Sequence, residues 1–158
     1  NRIELVVHDD QSFGWNLTNK IPLYGHQGDV IGVAGTTRDF QKLNQDNPAY
    51  REMSEVIDYI RDHYTEAITI PELAATAHLS VSQFGRNFKK FFQMSPLQFI
   101  TKIRINAARR MLTTTHASIS QIALESGFYD HSYFTRQFTK TMGMSPKQYR
   151  RRYYNEVS

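Results

Sequence analysis

The larger part of the chain repeats itself. At a separation of 50 residues, Ser82, Phe84, Arg86, Phe88 and Lys90 are matched by Ser132, Phe134, Arg136, Phe138 and Lys140. Met94-Ser95-Pro96 and Gln98 are matched by Met144-Ser145-Pro146 and Gln148. At 49 residues, Ile70 and Ala74 are matched by Ile119 and Ala123. The slip of one residue falls in a turn, where insertions are tolerated. A repeat of this period is one supersecondary unit used twice.

The unit itself reads as helical. Thr69-Ile70-Pro71-Glu72 is a capping box, with Pro71 in the first turn where its missing N–H costs nothing, and the helix it opens should run to about Ala77. After His78-Leu79, a second box, Ser80 to Gln83, opens another helix. Val81, Phe84, Phe88, Phe91 and Phe92 fall on one face of it, and Ser82, Gly85, Arg86 and Lys89 on the other. A short helix, a tight turn and a second helix with a basic outer face form a helix-turn-helix. In the second copy Ser118 to Gln121 is the matching box, Gly127 a C-terminal stop and Asp130 the next N-cap.

Between the copies, Ser95-Pro96 starts a longer helix. Phe99, Ile100, Ile103, Ala107 and Met111 are expected inward, with Lys102, Arg109 and Arg110 outward. From Leu97 to Leu112 this rod is about 16 residues, roughly 24 Å at 1.5 Å per residue. Such a rod can hold two recognition helices far enough apart for successive major grooves, about 34 Å apart on one face of a duplex. One chain would then read both halves of a non-palindromic site without dimerising.

Residues 1–41 read as β: Ile3 to Val7, Phe13 to Leu23 and Val30 to Thr37 are apolar or alternating runs, and turn residues separate them. They predict an antiparallel meander that needs a cover for its apolar face. Residues 42–50, polar and containing Pro48, read as a linker. Met53, Val56, Ile57, Ile60 and Tyr64 then mark the apolar face of the first helix of a domain over 51–158. The fold class is therefore mainly α: two helix-turn-helix subdomains joined by a long linker helix, with a small N-terminal antiparallel sheet.

Charge points to the ligand. The formal net charge of +4 is the sum of −2 over residues 1–50 and +6 over residues 51–158. No acid lies between Glu72 and Glu125, or between Asp130 and Glu156, while 7 and 6 Lys/Arg fall there. Acid-free basic stretches suit a polyanion. With no Cys in the chain, a disulfide scaffold, a thiolate metal site and a cysteine nucleophile are excluded. The six His have no helical pairing for a metal, and no nucleophile elbow, phosphate loop or close carboxylate pair occurs, so no enzyme, cofactor or metal is expected. The phenylalanines at helical spacing are expected in the core rather than as a stacking platform for single strands. No apolar run is long enough for a membrane span, and a cytoplasmic location is expected.

Residues 52–154 resemble the DNA-binding domain of the AraC/XylS family of bacterial transcription regulators. The resemblance is carried by Ser118-Ile119-Ser120-Gln121-Ile122-Ala123, by Ser126-Gly127-Phe128-Tyr129-Asp130-His131-Ser132-Tyr133-Phe134-Thr135-Arg136-Gln137-Phe138, and by Gly143-Met144-Ser145-Pro146-Lys147-Gln148-Tyr149-Arg150. In the first copy it is carried by Glu72-Leu73-Ala74, Phe84 to Lys89 and Ser95-Pro96. The resemblance implies a DNA-binding regulator with double-stranded DNA as its partner. RNA polymerase, and a second copy of the chain meeting the N-terminal sheet, are further candidate partners.

By position, the base-contact candidates are Ser82, Gly85 and Arg86 in the first unit, and His131, Ser132, Thr135 and Arg136 in the second. Gly85 departs from the pattern, since a longer polar side chain is common there. Lys89, Lys90, Arg109, Arg110, Lys140, Arg150, Arg151 and Arg152 are phosphate-contact candidates. Residues 2–40 resemble, more weakly, the last three strands of a PAS sensor domain, through Lys20 to Tyr24 and Gly28 to Phe40. The alternative reading is a sensory or interaction module whose β part binds a ligand or partner.

Overall fold

A computed structural model of the protein describes residues 2–7, 13–39 and 48–154. The expected turn at His8 to Ser12, most of the linker and residues 155–158 lie outside the described residues. Strands β1 (Arg2–Val7), β2 (Phe13–Tyr24) and β3 (Val30–Asp39) form an antiparallel meander in the order β1-β2-β3. Ile3 pairs with Leu17 and Ile21 with Ala34, and a register shift falls between Leu23 and Tyr24. The β2–β3 turn closes where Gly25 N–H donates to the Asp29 carbonyl at 2.8 Å, with Gly28 at φ +79°. Among the described residues nothing covers the apolar residues at this end of the sheet. Ile21, Val30, Ile31 and Val33 are all more than half exposed.

Helix α1 (Pro48–His63) begins inside the segment assigned to the linker. Proline at the first helical position gives up no hydrogen bond, so residues 48–50 join the helix instead of ending a loop. The helix-turn-helix units follow as α2 (Ile70–Thr76) with α3 (Val81–Phe92), and α5 (Ile119–Glu125) with α6 (His131–Met142). The linker helix α4 (Pro96–Thr114) lies between them and α7 (Pro146–Tyr153) follows. At 19 residues α4 is about 28 Å long.

Each unit has its own core. In the first, Met53, Val56 and Ile60 of α1 and Leu73 of α2 meet Phe84, Phe88 and Phe92 of α3, all fully buried. In the second, Ile122 and Ala123 of α5 meet Phe128, Phe134 and Phe138. The aromatic contacts repeat with the sequence. Phe84–Phe88 and Phe134–Phe138 have ring centroids 5.5 and 5.6 Å apart, and Phe88–Phe99 and Phe138–Tyr149 are 5.2 and 5.5 Å apart, edge to face. A fully buried Phe contributes roughly 1.5–3 kcal/mol. The three on α3 therefore outweigh any surface contact in seating that helix. Phe91 is only half-buried; the other phenylalanines expected in the core are there.

The linker helix differs from its expected single inward face. Phe99, Ile100 and Ile103 belong to the first core, while Ile105, Ala108 and Leu112 belong to the second. At about 100° per residue these two sets point roughly 170° apart. Lys102, Arg109 and Arg110, expected outward, are half-buried as a result.

The caps set the turns. Thr69, Ser80, Ser95 and Ser145 form reciprocal capping boxes with Glu72, Gln83, Gln98 and Gln148. The Thr69 N–H holds the Glu72 carboxyl below its ordinary pKa. Ser118 caps the Gln121 N–H, but the expected box is half made, because the Gln121 side chain donates to Glu125 at 2.9 Å. Both short helices end in Schellman turns. His78 N–H and Leu79 N–H donate to Ala75 and Ala74 carbonyls, and Gly127 N–H and Phe128 N–H donate to Leu124 and Ala123 carbonyls, each at 2.9 Å. His78, at φ +53°, thus does the work of Gly127, at φ +86°.

Gly127 and Gly143 both have positive φ, yet only one is crowded. A Cβ on Gly127 would lie 2.6 Å from the Tyr64 carbonyl oxygen, whereas one on Gly143 meets nothing within 4 Å. Gly143→Ala is expected to cost about 1 kcal/mol, the left-handed penalty alone. Gly127→Ala should cost at least about 2 kcal/mol more, since backbone must move as well. Urea denaturation of the two variants measures the difference.

Candidate nucleic-acid interface

The outer faces of α3 and α6 present the expected base-contact residues unequally. Ser82 and Arg86 are exposed on α3, and Arg86 Nη1 donates to Ser82 Oγ at 2.7 Å, which orients the guanidinium along the helix. Gly85 lies between them, and a Cβ there would meet nothing within 4 Å. On α6, His131, Ser132 and Arg136 are exposed, and Arg136 has no hydrogen-bond or ion-pair partner among the described residues. Thr135 stands apart: its hydroxyl is covered and unpartnered, so the oxygen does not face outward with its neighbours.

The phosphate-contact candidates divide in the same way. Lys89, Lys90 and Lys140 are exposed in the last turns of α3 and α6, where a cation also complements the helix dipole. Arg151 and Arg152 are exposed on α7, and the Arg152 guanidinium lies 5.4 Å from the Tyr153 ring centre. Arg109 and Arg110 are half-buried on α4. Arg150 is committed inside the protein, donating from Nη2 to the Ala117 carbonyl at 2.6 Å while its Nε is covered. It ties α7 to the strand of backbone that leads into α5.

Neither α3 nor α6 carries an acid, and Asp130 at the start of α6 is occupied in capping the Tyr133 N–H. Both helices therefore present a positive or neutral outer face. A cleft of about 680 Å³ opens between the units, lined by Gln93, Gln98, Lys102, Tyr133, Gln137 and Lys140. Among the described residues no group of three His, Asp or Glu side chains could hold a metal ion, and no helix is long and apolar enough to cross a membrane.

One residue of the site escaped the sequence reading. Arg104, half-buried on α4, donates from Nε to the Tyr64 carbonyl and from Nη2 to the Glu66 carbonyl, both at 2.7 Å. Burial pushes its guanidinium pKa down, opposed by the neighbouring Tyr129 and Tyr133. Its partners are backbone oxygens, which leave no mark in a sequence.

Comparison with known proteins agrees with this geometry. Residues 73–152 match a domain family described as a helix-turn-helix domain. The melibiose operon regulatory protein of Escherichia coli K12 is 37% identical over 99 residues, covering 63% of this chain and 33% of that protein. The lactose operon transcription activator of Staphylococcus xylosus is 29% identical over 152 residues, 95% of this chain and 54% of that protein. Among solved structures, the DNA-binding domain of the transcription factor AdpA in complex with a target DNA superposes with a TM-score of 0.62 at 30% identity, covering 65% of this chain and 92% of that one. The C-terminal domain of AraT, a response regulator from Geobacillus stearothermophilus, gives a TM-score of 0.63 at 31% identity, covering 71% and 92%. The chain thus spans about a third of the melibiose regulator and about half of the lactose activator. With its duplicated helix-turn-helix, two cores and shared linker helix, the chain belongs to the AraC/XylS-type family of transcription regulators.

Proposed function

We propose that the chain is a sequence-specific, double-stranded DNA-binding module of a transcription regulator, placing α3 and α6 in successive major grooves. The observation that carries this reading is the structural repeat: two recognition helices, each seated by buried phenylalanines, each acid-free and each with an exposed arginine, Arg86 and Arg136, at the same position. An arginine so placed can donate two bonds to guanine O6 and N7. Ser82, His131 and Ser132 flank these arginines as further base contacts. Bare Gly85 lets the backbone of α3 approach the groove closely. Lys89, Lys90, Lys140, Arg151 and Arg152 grip phosphates, with Arg109 and Arg110 nearer the middle of the duplex. That the AdpA DNA-binding domain, similar in structure to this chain, is in complex with a target DNA supports DNA binding here.

The β part is read as the end of a signal-sensing domain of the PAS type. The alignment with the lactose activator must include nearly all of the sheet, which supports treating sheet and helices as one working unit. The exposed Ile31 and Val33, alternate residues on one face of β3, favour a covering partner there, and a second copy of the chain is the simplest one. RNA polymerase is the natural recipient of the regulatory output, in a cytoplasmic setting.

Selecting bound duplexes from a random pool tests the main reading. A two-part motif is the expected result, and no enrichment would overturn it. Affinity should fall steeply with salt, and Lys89→Ala should lower the salt slope by about 1. Arg136→Ala should cost about 1–3 kcal/mol and relax the choice at one base pair. Equal loss on every sequence would instead make Arg136 a phosphate clamp. Thr135→Val removes a covered, unpartnered hydroxyl, so it should raise stability by about 1 kcal/mol. The selected motif should stay the same, and a changed motif would return Thr135 to the base-contact set.

A further inference from the structure

The two copies of the helix-turn-helix differ by one residue in the turn. In the first, His78 and Leu79 complete the Schellman turn and Ser80 caps the next helix. In the second, Gly127 and Phe128 complete it, and Tyr129 stands between them and the cap Asp130. Tyr129 is the inserted residue. Its hydroxyl donates to the Thr65 carbonyl at 3.3 Å, across a sequence separation of 64 residues.

Thr65 belongs to the strap that leaves α1 after His63 and leads to α2. The first three carbonyls of the strap are held from outside. Those of Tyr64 and Glu66 accept from Arg104 on the linker helix at 2.7 Å, and that of Thr65 accepts from Tyr129. Gly127 lies directly against the same strap: a Cβ there would fall 2.6 Å from the Tyr64 oxygen, 2.8 Å from Arg104 Nε and 3.0 Å from Thr65 Cα. The first unit therefore presses on the second at the turn immediately before His131, where the second recognition helix begins.

We propose that Arg104, Tyr129 and bare Gly127 form a latch that fixes the relative position of the two recognition helices, and so the spacing at which the chain reads DNA. The inference rests on the two-groove reading above. A single added base pair between half-sites moves one of them by about 3.4 Å and turns it by about 35°. A latched pair of units cannot follow that shift, whereas an unlatched pair joined by one helix can bend toward it. Arg104 is a positioning residue here, since it touches no base. Lysine is a poor substitute, because an ammonium lacks the fork that reaches two carbonyls at once.

Two measurements test the latch. The chain has no cysteine, so Lys90→Cys and Lys140→Cys, at repeat-equivalent exposed positions, give a clean pair of spin labels on α3 and α6 without DNA. The expected distance distribution is single and narrow, broadening when Arg104→Lys or Tyr129→Phe is added. Tyr129→Phe removes only one exposed hydroxyl, so a folding defect is not at issue. In the second measurement, the unlabelled chain is titrated with its selected duplex and with spacers one base pair shorter and longer. The wild-type chain should lose about tenfold or more in affinity per step, while the variants lose only a few-fold, with binding to a single half-site unchanged. Unaltered spin-label distances together with an unaltered spacer profile would overturn the latch. So would equal loss on every duplex, single half-sites included. A wild-type chain that selects no two-part site overturns the two-groove reading instead, and the DNA-free distances then judge the latch by themselves.

Discussion

The helical part depends on α4 being apolar on opposite faces. A helix with one stripe can be buried by one partner layer, and its other side must be polar. Here Phe99, Ile100 and Ile103 close the first core, and Ile105, Ala108 and Leu112 close the second from the far side. Neither unit has a complete core without its end of α4. Each recognition helix is thus seated by packing on one shared rod, and the hydrogen bonds at its flanks set the two seats relative to one another.

Local signals made the helix-turn-helix legible. A serine with glutamine three residues on marks a helix start through backbone hydrogen bonds that span only those residues. Phenylalanines at intervals of four mark the buried face in the same local way. The long-range features were not legible for the converse reason. The face of α4 that starts with Phe99 continues at helical spacing through Ala107 and Met111 and reads as the only one, so Ile105, Ala108 and Leu112 on the far side carry no separate signal. Arg104 and Arg150 bind backbone carbonyls, and carbonyls occur at every residue. Arg150 reads from the sequence as a phosphate-contact candidate beside Arg151 and Arg152, whereas its bond to Ala117 turns it inward. Thr135 falls on the outer face by helical periodicity, yet its hydroxyl is covered, because which way a β-branched side chain turns is decided by neighbours rather than spacing.

The recognition helices are alike in their cores and differ in their readiness. Arg86 is held against Ser82, while Arg136, with the matching Ser132 four residues before it, has no partner among the described residues. A tethered arginine loses less side-chain entropy on binding and tolerates less variation in what it meets. A free one pays more and adapts more. Two copies of one motif thereby acquire different tolerances without a change in fold.

The contact between the copies also has a direction. The strap of the first unit is covered by Tyr129 of the second, so the interface is head to tail, and head-to-tail contacts between like units are open-ended. The corresponding strap of the second unit is closed from within: Arg150 takes the Ala117 carbonyl, and Tyr154 meets His116 with 2.8 Å between its hydroxyl and Nε2. A tyrosine and an arginine thus sit on each strap. At the first, the tyrosine comes from the neighbouring unit; at the second, it comes from the helix end of the same unit. The second unit therefore covers its own strap with its own last helix, in the way an end repeat of a solenoid covers its outer face.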